Sequence, residues 1–203
     1  FAGETVHAIE RAAADVASLP EPLHRVRALV HAKVRRAGPQ PLQDRLPAPF
    51  PTPDVEPSAQ VMNLDEFLQV ALGDFALIPI VMGSQEQDVV TGLAEVLAAK
   101  LTGKNALIVA SSDLSHYHQA TQAEKLDEGV IDAIEKYDWR LLHDRVSSGA
   151  AQACGAGPIM SCMYAAKRLG ANRARVIQYT HSGLVTGDNA EVVGYLSAVF
   201  DRK

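Results

Sequence analysis

The stretch ALIVASSDLSHYH, residues 106–118, places three serines, an aspartate and two histidines directly after an apolar run. Asp113 and His116 are three positions apart, so in a turn the carboxylate can fix the tautomer of the imidazole and raise its basicity. That arrangement is typical of a general base. In an extended segment, His116 and His118 would instead point to the same side and could both bind a metal. A Ser-Ser-Asp sequence is also an ordinary helix cap, so a structural interpretation stays open.

A cysteine adds a second reactive group to this set. Cys154 lies in ACGAGPI, just before a predicted helix that has Pro158 in its first turn. The dipole and the unpaired amides of a helix amino terminus stabilise a thiolate, which favours a role as nucleophile or metal ligand. The alternative is a small residue that fills a tight turn. Cys162 is eight residues further along, roughly 12 Å in a helix, which is too far for a disulfide. It lies in mid-helix among Met160, Met163 and Ala165, so we expect a core residue.

Alternating helices and strands are predicted to position these side chains. Helical spacing is predicted for residues 1–18, 64–72, 84–101, 121–136, 138–147 and 157–169, and strands for 26–30, 75–83, 106–110, 174–181 and 191–200. The unbroken apolar run FALIPIVMG, residues 75–83, is typical of a strand buried on both faces. With the helix after it, which Ser84 is expected to cap, and the strand at 106–110, it predicts a right-handed parallel β-α-β unit. Residues 39–58 hold seven of the eleven prolines and predict a loop or linker.

Three predicted strands end next to a histidine. Ligands of open α/β sheets bind outside the carboxyl ends of the strands. His31, His116 and His181 each follow such an end. These histidines are therefore candidates for one common site, although turn composition explains the surroundings of His181 equally well.

Composition limits the classes of protein. The chain has 203 residues, which predicts one domain, and a net charge of −5 without a broad basic surface, so nucleic acid is not an expected partner. No apolar stretch approaches the roughly 20 residues that span a bilayer, and no signal-peptide pattern opens the sequence. We expect a cytoplasmic protein that does not contact membranes.

Three motifs carry a resemblance to a known family: LIVASSDLSHYH, ACGAGPIMSCMYAAKRLG and YTHSGLVTGDNAEVVGYLSAVF. Their order and spacing resemble the Memo family, whose bacterial members are called AmmeMemoRadiSam system protein B, and FALIPIVMG matches as well. The resemblance covers residues 64–203, whereas residues 1–63 look diverged and shortened. It favours a single Memo-like domain over residues 1–203.

The resemblance implies both a fold and a site. The Memo fold is similar to that of class III extradiol dioxygenases, a three-layer α/β/α sandwich with a mostly parallel central sheet. A metal site with iron or copper is implied, in which Cys154 matches the cysteine ligand and His31 is the candidate for the first histidine. Asp113 and His116 match the acidic and general-base positions of the family. The cleft is also expected to be lined by Ser112, His118 and His181.

The chain departs from the family pattern in its first third. No Gly-Pro-Ser-His motif is present, and Glu56-Pro57-Ser58 stands where the family carries Glu-His-Ser. Two functions therefore stay open, with an inactive, partly folded domain as a third outcome. One is a dioxygenase-like, metal-dependent oxidoreductase with partners from a radical-enzyme system, and the other is a non-catalytic protein that has lost the metal and binds a small molecule or peptide.

Overall fold

A computed structural model describes the backbone of residues 27–31, together with Leu68, Phe75 and residues 77–203. The chain divides into two compact units, residues 1–32 with 77–203, and residues 33–76. The predicted helix at 1–18 and the proline-rich stretch at 39–58 lie outside the described residues. So does the predicted helix at 64–72, apart from Leu68, which is helical and buried. The single domain stays a prediction.

The described part of the first unit is a mixed α/β structure, as the sequence predicts. Its strands are β1 (Arg27–His31), β2 (Leu107–Ser111), β3 (His116–His118), β4 (Arg173–His181) and β5 (Val192–Asp201). Its helices are α1 (Gln87–Leu101), α2 (Ala120–Glu135), α3 (Trp139–Ser147), α4 (Ala156–Arg168) and α5 (Gly183–Thr186). Among the predicted elements, the strands at 26–30, 106–110, 174–181 and 191–200 are confirmed, as are the last four helices predicted.

The strands form a mixed sheet around β5. β1 pairs with β2 in parallel, and β5 pairs antiparallel with β1, β3 and β4. In the described residues, one strand pair of four is therefore parallel, and the mostly parallel three-layer sandwich implied by the resemblance is not confirmed. The parallel pair aligns His31 with Ser111, so β1 and β2 end side by side at one edge of the sheet.

The core lies between β5 and the helices, above all α4. Every second residue of β5 is buried, including Leu196 and Phe200, which is the pattern of a strand with one face against a core. Helix α4 has nine buried residues, with Ile159 and Met163 fully enclosed. Burial of an aliphatic side chain of this size contributes about 1.5–3 kcal/mol. The amino end of α4 is therefore held firmly, and Cys154 lies two residues before it.

The predicted strand at 75–83 is wrong. Residues 77–83 form no strand, and the side chains of Leu77 and Val81 are 52% and 87% exposed. An apolar run becomes a buried strand only where other strands pair with it and layers cover both faces, which sequence alone does not show. The β-α-β unit built on this run is wrong with it, and the parallel partner of β2 is β1.

The predicted cap of α1 is also displaced. The helix begins at Gln87 with Glu86 as its cap residue, and no side chain caps it. The Ser84 hydroxyl accepts the Glu86 N–H at 3.2 Å, before the helix starts. Ser84 thus stabilises the turn that leads into the helix. In the described parts of the chain, no helix combines the length and the apolar character needed to cross a membrane.

Candidate functional site

Three side chains with metal-binding atoms meet where β2 and the loop before α4 lie together. Asp113 and His116 follow β2, and Cys154 precedes α4. One carboxylate oxygen, one ring nitrogen and the sulfur lie within 4.8 Å of one another. Among the described residues, this is the only set of three or more histidine, cysteine and acidic side chains so arranged.

Backbone hydrogen bonds join Cys154 to the loop after β2. The Cys154 N–H donates to the Asp113 carbonyl at 3.1 Å, and the Asp113 N–H donates to the Cys154 Sγ at 3.2 Å. The Ser112 hydroxyl accepts the Gly155 N–H at 2.8 Å and lies 3.7 Å from the same sulfur. The position of the thiol is therefore set by two segments that are about forty residues apart in sequence.

The close approach of these segments requires glycine at position 155. A Cβ there would lie 2.6 Å from the Ser111 carbonyl oxygen and 2.8 Å from the Ser112 Cβ. Contacts that short do not occur without movement of the backbone. Gly155 therefore allows the cysteine to reach the end of β2, which explains the Cys-Gly pair in ACGAGPI.

Asp113 and His116 form a pair, as their spacing predicts. Asp113 Oδ2 lies 3.5 Å from His116 Nε2, and each side chain is 26% exposed. This separation is longer than an ordinary hydrogen bond, so the contact becomes an ion pair when the imidazole is protonated. The partial exposure leaves the ring accessible to solvent and to small molecules.

The predicted loop contains the short strand β3, and its two histidines have different partners. Between them, Tyr117 has a φ of 58°, which interrupts the regular alternation of side chains, and the pairing with β5 shifts register at this point. His118 Nε2 lies 2.9 Å from the Gln152 amide oxygen. His118 does not belong to the three-residue group, and its Nε2 contacts Gln152 instead.

The structure describes the two other histidines at strand ends to different extents. His31 ends β1 and pairs with Ser111, the residue before Ser112. The structure describes the backbone of His31 but not its side chain. His181 ends β4 and is 2% exposed, with Nε2 3.5 Å from a carboxylate oxygen of Glu124. Its Nδ1 has no hydrogen-bond partner among the described residues. His181 is therefore a buried residue between β4 and α2 and not a member of the group.

Two glutamines at the site were missed by the sequence analysis. Gln85 donates to the Cys154 carbonyl at 2.9 Å and accepts the Gly157 N–H, so it bridges the turn before α4 and its first residues. Gln152 contacts His118 and accepts the His116 N–H at 3.4 Å. Glutamine does not titrate, and neither residue lies in a motif with a chemical signature. Only the position of Gln152 two residues before Cys154 offered a signal.

The donor set fits a metal ion. A thiolate, an imidazole and a carboxylate together suit zinc, iron and copper. The ligand atoms of a tetrahedral site with bonds of about 2.0–2.3 Å lie roughly 3.3–3.8 Å apart. The observed group would therefore close by about an ångström around an ion, which rotation of partly exposed side chains permits.

Comparison with known proteins identifies the family. A sequence model of the family described as "Memo-like protein" matches residues 60–199. A MEMO1 family protein of Methanosarcina mazei is 39% identical over 130 residues, which cover 63% of this chain and 49% of that protein. Those of Methanococcoides burtonii and Thermotoga neapolitana are 43% and 37% identical over 136 and 134 residues, and each alignment covers 66% of this chain.

The matched region contains every described member of the site. The chain spans about half the length of the curated relatives it matches, with 51% of the Methanococcoides protein and 47% of the Thermotoga protein aligned. Asp113, His116 and Cys154 all lie within residues 60–199. The predicted resemblance over residues 64–203 is confirmed, and this chain belongs to the Memo family.

Proposed function

We propose that this chain holds a redox-active metal ion, iron or copper, at the site of Cys154 and His31, with Asp113 and His116 beside it, and that the site serves an oxidoreductase reaction. The observation that carries the proposal is the convergence of Asp113, His116 and Cys154 within 4.8 Å. Cys154 supplies one ligand, and His31 ends the strand beside Ser111 and is the candidate for another.

The residues of the proposed site have different roles. The hydrogen bond from the Asp113 N–H and the contact with the Ser112 hydroxyl hold the sulfur of Cys154 in place. The His116 ring is partly exposed and can take a proton from a bound substrate, and the Asp113 carboxylate stabilises the resulting imidazolium. A bound iron or copper ion would supply a Lewis acid and one-electron chemistry. The substrate class is a small molecule that reaches this exposed side of the site.

Metal content tests the proposal. We expect about one iron or copper ion per chain after anaerobic purification, because a thiolate and an imidazole bind these ions strongly. Cys154→Ala and His31→Ala should each lower the occupancy at least tenfold. Cys162→Ala is the matched control, since this second cysteine is buried in α4 and should leave the occupancy unchanged. The measurement is elemental mass spectrometry on the four proteins.

Absence of metal from the native protein under these conditions would contradict the proposal. Equal metal in native protein and Cys154→Ala would contradict it as well, because the ion would then lie elsewhere. Either result would favour the alternative function, a protein that binds a small molecule or peptide without catalysis.

The role of His116 requires a separate variant. If His116 is the base, His116→Ala should keep the metal within about twofold of native, since Cys154 and His31 still bind it. His143→Ala is the matched control, because His143 also lies 3.5 Å from an aspartate oxygen, that of Asp144, but on helix α3. A tenfold loss of metal in His116→Ala alone would show a ligand and contradict the assignment as base.

A further inference from the structure

A buried carboxylate lies behind the loop that carries Asp113 and His116. Asp127 of α2 is 0% exposed, and its two oxygens accept separate hydrogen bonds. The Ser115 N–H donates to Oδ1 at 2.9 Å, and the Tyr179 hydroxyl donates to Oδ2 at 2.8 Å. An enclosed carboxylate without such donors would cost several kcal/mol. The two bonds therefore fix the position of Asp127, and with it that of Ser115.

The phenol of Tyr179 remains a donor at neutral pH. Burial, followed by the hydrogen bond to Asp127, raises the pKa of Tyr179 above its usual value of 10.0. One turn earlier on the same helix, Glu124 contacts His181, which is also on β4. Two polar contacts, one from Glu124 and one from Asp127, thus join helix α2 to β4. Strand β4 pairs with β5, which also pairs with β3.

Gly194 of β5 completes the arrangement. A Cβ at Gly194 would lie 1.9 Å from Asp127 Oδ2, so only glycine leaves room for the carboxylate. Its carbonyl accepts the Leu114 N–H at 2.9 Å, and its N–H donates to the Ser115 carbonyl at 3.0 Å. Both backbone polar groups of Ser115 are therefore bound, one by Asp127 and one by Gly194.

Ser115 lies two residues after Asp113 and directly before His116. We propose that Asp127, Tyr179 and Gly194, together called the Ser115 clamp, position Asp113 and His116 for the metal site by fixing the backbone between them. The inference rests on the proposed function, because it assigns these residues to the geometry of that site. Asp127 acts through Ser115 and touches neither the metal nor the substrate.

Cobalt(II) binding distinguishes positioning from a general role in the fold. The backbone of Asp113 holds the proposed ligand Cys154, because the Asp113 N–H donates to its sulfur and the Asp113 carbonyl accepts its N–H. Loss of a group that orients a metal ligand typically costs 10–100-fold in metal affinity. Asp127→Ala should bind Co(II) at least tenfold more weakly than native protein and still show the thiolate-to-cobalt absorption of Cys154. Asp127→Asn should remain within about threefold of native, because its amide oxygen can still accept the Ser115 N–H.

A tyrosine variant and its control keep the inference testable if Asp127→Ala fails to fold. Tyr179→Phe removes only the hydroxyl that holds Asp127 and should weaken Co(II) binding about three- to tenfold. Tyr164→Phe is the matched control, since Tyr164 bonds Glu95 from a position about 12 Å along α4 from its first residue. Equal affinity in Tyr179→Phe and native protein would overturn the inference.

A double-mutant cycle tests whether Gly194 acts through the same carboxylate. Gly194→Ala should weaken Co(II) binding about as much as Asp127→Ala, because the added methyl group displaces Oδ2. The double variant should be no weaker than the worse single variant, since both remove one contact. Multiplied effects would show that Gly194 and Asp127 act separately, and would overturn the clamp.

Failure of the proposed metal site and failure of the Ser115 clamp give different results. If native protein and Cys154→Ala bind Co(II) equally, the metal site is wrong whatever the clamp does. The clamp is then judged in metal-free protein by amide hydrogen exchange, where Asp127→Ala should speed exchange at Ser115 at least tenfold and Asp127→Asn should restore protection. Unchanged exchange at Ser115 in Asp127→Ala would overturn the inference on its own.

Discussion

The two cysteines show how surroundings decide the chemistry of one residue type. Cys154 is exposed, and its sulfur accepts the Asp113 N–H. Cys162 is 1% exposed within α4, and burial raises the pKa of its thiol to about 12. A thiol with such a pKa carries almost no thiolate near neutral pH, and the thiolate is the reactive form. The expectation that Cys162 belongs to the core is confirmed.

Thiol labelling should separate the two residues. At pH 8, we expect native protein that has been freed of metal to react with a disulfide reagent at one thiol per chain, and at two after unfolding. Cys154→Ala should show no fast reaction, and Cys162→Ala should react like native protein. Reaction of both thiols at similar rates in the folded chain would contradict the burial of Cys162. The measurement is the absorbance over time of the small thiol that the reagent releases.

At the scale of single elements, two tyrosines have left-handed backbone conformations but different surroundings. Tyr117 in β3 has a φ of 58° and a side chain that is 75% exposed. Tyr137, which follows α2, has a φ of 52°, is 9% exposed, and stacks on Phe200 with ring centroids 5.2 Å apart. This conformation costs a residue with a side chain about 1–2 kcal/mol. Burial of Tyr137 offsets that cost, whereas Tyr117 is mostly exposed and has only a tilted ring contact with His116, with centroids 5.8 Å apart.

Asparagine, which tolerates this conformation, should therefore have opposite effects at the two sites. Tyr117→Asn is expected to raise the free energy of unfolding by about 0.5 kcal/mol, because little packing is lost. Tyr137→Asn should lower it by about 3 kcal/mol, since a buried aromatic ring is removed. Urea unfolding of the two variants checks this. A loss above 1 kcal/mol in Tyr117→Asn would show that the Tyr117 ring stabilises the fold by more than the backbone strain costs, and would contradict this expectation.

At the scale of the whole molecule, β5 connects distant parts of the chain. It pairs with β1, more than 160 residues earlier in sequence, and with β4 directly before it. Asp201 at its end accepts two hydrogen bonds from the Arg173 guanidinium at 2.6 and 2.8 Å and one from Arg175 at 2.9 Å. The hydrogen bond from Arg173 is the main cause that lowers the pKa of Asp201 to about 2. These bonds hold the end of the strand on which the sheet depends.

Acid should remove the stabilisation that the Asp201 carboxylate provides. The Asp201 carboxyl has a lower pKa in the folded protein than its ordinary value of 3.8, so its stabilisation is fully present above about pH 4 and is lost as the pH falls toward 2. Asp201→Asn should melt at a lower temperature than native protein at pH 6, and the difference should shrink between pH 4 and pH 2.5. Asp144→Asn is the control, since Asp144 is 77% exposed. A difference in melting temperature that does not change with pH would contradict the assignment.

The sequence by itself determined the helices and strands with clear periodicity and the neighbourhood of the site. Four strands and four helices follow patterns that lie within each segment of the sequence, and such patterns act locally. Asp113 and His116 were found because they are three residues apart, and Cys154 because it precedes a helix. The family motifs added His31, whose side chain lies outside the described residues.

Only the tertiary structure decided which distant groups meet. Asp127 is 12 residues from Ser115 and 52 from Tyr179, and Gln85 is 69 from Cys154. No local pattern encodes such contacts, because they form only when α2, β4, β5 and α4 pack together. The same reason explains why the predicted strand at 75–83 is wrong. An apolar run indicates that a segment favours burial, but not whether neighbouring strands are in place to pair with it. Packing, and not propensity, thus placed the residues that position the site.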